Sequence, residues 1–297
     1  MIKADGISKR FGDFVALENI SCTIQNGCVY GMVGSNGAGK STLLRILSGV
    51  YMRDSGDLEL DGEEIYENPS AKLKIAFVPD ELYYISGASM ERMSRLYKSL
   101  YSSFDSEKYK RLASELGLDT QKSLNTFSKG MRRQAMVILA LASNPEYIFF
   151  DETFDGLDPV MRNYVKKLIC SDVIERGAAA IITSHSLREL EDTCDQLALL
   201  HKGGLVLESD VTDLKTSQFK IQIAFPDDYD RTRFDGVDIV YYSKQGSVSN
   251  MIVRGDRSAT VERLRAMNPL VLDVLPLTLE EIFTYEMEAL GYSFDVE

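Results

Sequence analysis

Residues 34–42 read GSNGAGKST, and the fold turns on this stretch. It satisfies the pattern G-x-x-x-x-G-K-[ST], follows the apolar run CVYGMV and opens the helix-like STLLRILSGV. That strand–loop–helix setting is the one in which the pattern binds phosphate. Glycine lets successive backbone N–H groups curl around phosphate oxygens with no Cβ in the way. Gly34, Ser35, Asn36, Gly37, Ala38 and Gly39 form the cradle, and Lys40 supplies a point charge for the β- and γ-phosphates. The Ser41 hydroxyl suits Mg2+, and the helix from Thr42 onward adds its positive end.

Further along, YIFFDE at 147–152 has four apolar residues that make a central strand ending in two carboxylates. Asp151 is positioned to hold the shell of a magnesium ion, and Glu152 to polarise a water for in-line attack on the γ-phosphate. His185 follows the strand-like AAAIITS, at a carboxyl end where ligands collect in open α/β sheets. There it can hydrogen-bond the γ-phosphate and orient the water, whereas His201 has no such setting. A second phosphate seat appears in FSKGMRR at 127–133. It sets Ser128 and Gly130 at the start of an apolar helix, where free N–H groups and the helix dipole point outward.

The 297 residues bound the answer to one large or two ordinary domains, and 44% apolar content is enough for real cores. A net charge of −12 argues against nucleic acid or an anionic membrane surface as a direct partner. Cys22, Cys28, Cys170 and Cys194 form no CxxC pair and read as reduced, structural thiols of a cytoplasmic protein. No signal peptide is expected after MIKADG, and no stretch is long and apolar enough for a membrane span. In the first third of the chain, short β-like runs and a hairpin-like SGDLELDG surround the phosphate loop, and AKLKIAFVP at 71–79 reads as a strand. Helices occupy about 84–125, where Met90, Met93, Leu96, Leu100 and Tyr101 form a stripe at helical spacing read as packing core first and as a partner surface second. From 128 to 200, helix and strand patterns alternate as in a parallel sheet with helical cover. After LKTSQ the composition shifts to a small α+β appendage ending in the helix-like TLEEIFTYEMEAL.

The set GSNGAGKST, FSKGM, YIFFDE, DGLDP and TSH, in this order, resembles an ABC-type ATPase cassette over about residues 2–215. The resemblance implies an α/β fold: a P-loop NTPase sheet with an antiparallel β subdomain and a helical subdomain at about 84–143. Residues 1–215 would be the nucleotide-binding domain and 216–297 an accessory domain. FSKGM is similar to the family's signature loop, so Ser128 and Gly130 would hold the γ-phosphate of ATP bound to the partner of a head-to-tail dimer. That partner is a second copy or a related cassette. Phe11 stands where the family has an aromatic that stacks on adenine, and it reads equally as a sheet-edge residue. Asp158, in DGLDP, matches the loop through which the two sites communicate.

The chain departs from the family pattern in three places. Asp80 replaces the usual glutamine after FVP, which either tightens the magnesium shell or perturbs the water. Thr153-Phe154 replaces Pro-Thr, and Met131 the last signature glutamine. Since Lys40, Asp151, Glu152 and His185 all remain, a hydrolysing site is expected. The resemblance further implies a Mg2+-ATP-driven export subunit on the cytoplasmic face of the cell membrane, working through separate permease chains. Tyr83, Tyr84, Tyr97 and Tyr101 are candidate anchors for those chains. The alternative is a soluble relative acting on ribosomes or DNA. It is disfavoured by the single set of motifs, the short 42–127 interval and the acidic charge. For residues 219–297, stabilisation of the dimer is the preferred role over ligand binding.

Overall fold

The computed structural model describes residues 1–275 and 277–289. Contacts divide the chain into two units, Met1–Glu208 and Ser209–Glu297, slightly ahead of the division expected after residue 215.

In the first unit the apolar runs become strands of a six-stranded sheet, ordered β10-β9-β3-β8-β7-β6. Its members are β3 (Val29–Val33), β6 (Ile75–Val78), β7 (Tyr147–Phe150), β8 (Ala179–Ser184), β9 (Gln196–His201) and β10 (Gly204–Asp210). Parallel pairing links β9, β3, β8, β7 and β6. Every residue of β3, β7 and β8 is buried, which is why these segments are apolar throughout rather than alternating. Register then aligns the chemistry. Val33 pairs with Ser184 and Phe150 with Ile182, so the phosphate loop, Asp151 and the Thr183–His185 segment leave the sheet at one edge.

A second sheet, ordered β2-β1-β4-β5, contains β1 (Ile2–Phe11), β2 (Phe14–Ile24), β4 (Ser55–Leu60) and β5 (Glu63–Glu64), all antiparallel. The β4–β5 hairpin turns at Asp61 and Gly62, both at positive φ (53° and 83°), the pairing that a tight two-residue turn demands. Helix α1 (Lys40–Leu47) buries Leu43, Leu44, Ile46 and Leu47. The strand expected over 71–79 is only half a strand. Pro69–Leu73 forms helix α2, because Asn68 caps it by accepting from the Ser70 and Ala71 amides and Pro69 occupies its first position.

The helical segment comprises α3 (Met90–Leu100), α4 (Ser106–Glu115) and α5 (Lys129–Ala142). Met90 and Met93 are buried, but the expected core stripe does not extend to Leu100, which is 55% exposed. From Arg133 to Ala142 every residue of α5 is buried. Helices α6 (Pro159–Arg176) and α7 (Leu187–Glu191) complete the cover. None of the four cysteines forms a disulfide, and burial, with Glu208 nearby, pushes the Cys22 thiol up to about 12.

In the second unit, α8 (Val211–Ser217) leads into an antiparallel sheet, β12-β13-β11-β14, made of β11 (Gln218–Ala224), β12 (Ile239–Gln245), β13 (Val248–Arg254) and β14 (Val271–Leu275). Phe219, Ile221, Ile223, Met251, Val253 and Leu264 build its core, the last from α9 (Arg257–Arg265). Helix α10 spans Leu279–Ala289; Leu290, the end of the expected last helix, lies outside the described residues.

Candidate functional site

The phosphate loop is held open by backbone geometry. Gly39 sits at φ +102° as the N-cap of α1, and no side chain caps that helix. A Cβ at Gly39 would come within 2.7 Å of the Ala16 carbonyl oxygen and of a Leu17 methyl. The first-turn amides of α1 are therefore presented to the space before the helix without side-chain competition. Ala38 N donates to Ser35 O (3.1 Å), and Gly203 N to Ala38 O (3.1 Å), pinning the loop against the sheet. A cleft of about 300 Å³ opens there, lined by Asn36 to Thr42 together with Phe14, Ala16, Asp80 and Glu152. Lys40, only 5% exposed, folds back along it. Its Nζ donates to Gly34 O (2.7 Å) and Ser35 O (3.3 Å) and lies 3.4 Å from Glu152 Oε1.

Behind the loop, Asp151 is fully buried. Its Oδ1 accepts from the Ser41 hydroxyl (2.9 Å) and the Thr183 hydroxyl (2.8 Å). Its Oδ2 has no hydrogen-bond partner and only Arg45 at 3.8 Å. A buried carboxylate oxygen left unsatisfied calls for an explanation. A hydroxyl and a carboxylate converging below a phosphate loop fit a hard divalent cation with oxygen ligands.

Glu152 has φ +44°, rare for a side-chain-bearing residue and typical of sites where the surroundings impose the geometry. Thr183 imposes it here, accepting from the Glu152 amide at 2.9 Å. The Glu152 carboxylate is bracketed by Lys40 on Oε1 and by His185 Nδ1, 3.1 Å from Oε2. His185 is half exposed, and Asp155 joins the pair, with ligand atoms of Glu152, Asp155 and His185 within 4.8 Å of one another.

Other expected site residues lie elsewhere. Ser128 caps α5, its Oγ accepting from Met131 N (3.2 Å). Gly130 faces the following loop so closely that a Cβ would meet Gly156 O at 3.0 Å. Asp158 caps α6 through the Val160 and Met161 amides, both at 3.0 Å. Neither Ser128, Gly130 nor Asp158 lines the 300 Å³ cleft. Phe11 packs edge-on against Tyr51, ring centroids 5.8 Å apart, while Phe14 lines the cleft. Asp80 does reach the cleft wall, but its Oδ1 accepts from Arg133 at 3.0 Å.

Residues 17–155 match the family described as ABC transporter. The linearmycin resistance ATP-binding protein LnrL of Bacillus subtilis is 32% identical, over 72% of this chain and 70% of its own length. The ABC transporter ATP-binding protein YtrB of the same organism is 29% identical, over 95% and 97%. The chain is an ABC transporter ATP-binding protein. Its cassette has the fold of the solved cassette MJ0796, a post-hydrolysis dimer bound to ADP and Pi. That likeness has a TM-score of 0.64 at 21% identity, over 71% of this chain and 99% of that one.

No helix among the described residues is long and apolar enough to cross a membrane. Four residues of this ATPase cassette escaped the sequence reading: Phe14, Thr183, Arg45 and Arg133. Arg45 alone carried a signal, since it falls one helical turn after Ser41 and so shares its face.

Proposed function

We propose that the cassette closes head to tail on a second copy or a related cassette, with ATP enclosed between the cleft of one and the Ser128–Gly130 start of α5 of the other. The observation that carries this reading is the division of labour within one chain. One bare helix start lines a cleft, while a second glycine-bearing helix start stands apart from it. A second set of donors arriving from a neighbour would surround the triphosphate and exclude water.

In that closed state Lys40 exchanges its contacts with the Gly34 and Ser35 carbonyls for phosphate oxygens. Ser41 and Asp151 would hold Mg2+, which supplies charge neutralisation on the phosphates. Glu152 accepts the proton of the water that attacks the γ-phosphate, and His185, hydrogen-bonded to it through Nδ1, fixes the direction of its carboxylate. Opening after hydrolysis would be transmitted to separate membrane-embedded chains at the cytoplasmic face. The name of LnrL favours export, with a resistance compound as cargo. Residues 1–215 act as the motor and 216–297 as an accessory domain that stabilises the dimer. The test is Glu152→Gln: hydrolysis falls by about a hundredfold or more while ATP binding persists. Hydrolysis at the unaltered rate would refute the assignment.

A further inference from the structure

Asp80 is an anomaly. An acidic side chain shares a cleft wall with the phosphate loop, where its charge opposes that of a triphosphate. Arg133 is the complementary anomaly: a guanidinium 1% exposed that, with Gln134, opens the buried and thereafter apolar stretch of α5. Buried charge of this kind persists only with a well-placed partner. The two meet. Arg133 Nη2 donates to Asp80 Oδ1 at 3.0 Å, and Nη1 to the Pro79 carbonyl at 2.8 Å. Both acceptors belong to the segment that leaves β6. Arg133 Nε has no hydrogen-bond partner, so the hydrogen bonds of this side chain go to Asp80, on the cleft wall, and to Pro79 just before it. Lys40, which lines the cleft, is already engaged with Glu152 and two carbonyls.

We propose that Arg133 is a positioning residue for nucleotide binding. It cancels the charge of Asp80 and holds that carboxylate against the wall, so that an anionic triphosphate is admitted past an aspartate. The inference rests on the reading of the cleft as the ATP site. It also makes the two residues interdependent: the aspartate at 80 is tolerated because an arginine stands at 133.

The test compares four proteins: unaltered, Arg133→Gln, Asp80→Asn and the double variant. A fluorescent ATP analogue with Mg2+ is titrated by anisotropy, with thermal melts run in parallel. Arg133→Gln should weaken binding about fivefold, a deficit that shrinks as salt is raised. Adding Asp80→Asn should restore affinity to within about twofold of the unaltered protein, because the uncompensated charge is then gone. A packing role for Arg133 would instead leave the double variant as weak as the single one, at every salt concentration, and that result overturns the proposal. So does a folded Arg133→Gln protein of unaltered affinity. Should Arg133→Gln fail to fold, Asp80→Asn alone keeps the proposal testable: it removes the charge that Arg133 offsets and should bind the analogue at least as tightly as the unaltered protein; a fivefold loss there counts against the proposal. An unaltered chain that binds no analogue would refute the reading of the cleft itself.

Discussion

The starts of α1 and α5 are built from similar residues and do opposite things. Each has glycine and lysine in its first positions and an apolar helix behind. At α1 the N-cap is Gly39, twisted to φ +102° with no capping side chain, so the amides are left to a ligand. At α5 the N-cap is Ser128, whose own hydroxyl takes the Met131 amide. The first opens into a cleft walled in part by Phe14, Ala16, Asp80 and Glu152 of its own chain. The second is a finished helix end whose glycine is pressed against the Gly156 carbonyl. A phosphate seat is thus a matter of what else stands around the helix start, and of the two only the start of α1 lines this cleft of its own chain.

The largest effect expected from breaking this contrast is Gly39→Ala. A Cβ there meets backbone at 2.7 Å, and an alanine at that φ is strained by about 1–3 kcal/mol. Nucleotide affinity should fall more than about a hundredfold as the amides turn away. Affinity within a factor of a few, by titration, would show that the loop tolerates another shape. Ser128→Ala should do less and do it differently. The folded chain loses about 1 kcal/mol of cap stability, seen as a lower melting temperature. ATP binding to separated chains stays unaltered, and hydrolysis at high protein concentration drops about tenfold. A loss of affinity in dilute protein would place Ser128 in its own chain's site and erase the contrast.

The legible part of the site is the contiguous part. GSNGAGKST and YIFFDE carry their geometry with them, because a loop between a strand and a helix, or a strand end, needs nothing distant to take shape. Thr183 is different. In a wholly buried strand it looks like one more β-branched residue, and only the β7–β8 register brings its hydroxyl between Asp151 and the Glu152 amide. The reach of Arg133 to Asp80 crosses the space between α5 and the end of β6, which no local pattern encodes. Phe11 and Phe14 stand at the two ends of one tight turn, pairing directly with each other, and their spacing does not say which ring meets the cleft. In the 71–79 stretch the apolar pattern pointed to a strand, but the Asn68-Pro69 start signal overrode it for the first turn.

The most direct test is the mass of Glu152→Gln protein by light scattering, with and without Mg-ATP, beside the same protein carrying Ser128→Arg. A socket completed by a neighbour predicts that ATP doubles the mass of the first. The second should remain a single chain while still binding nucleotide. A dimer that forms equally well with arginine at 128, or a mass that never changes with ATP at any protein concentration, would contradict it.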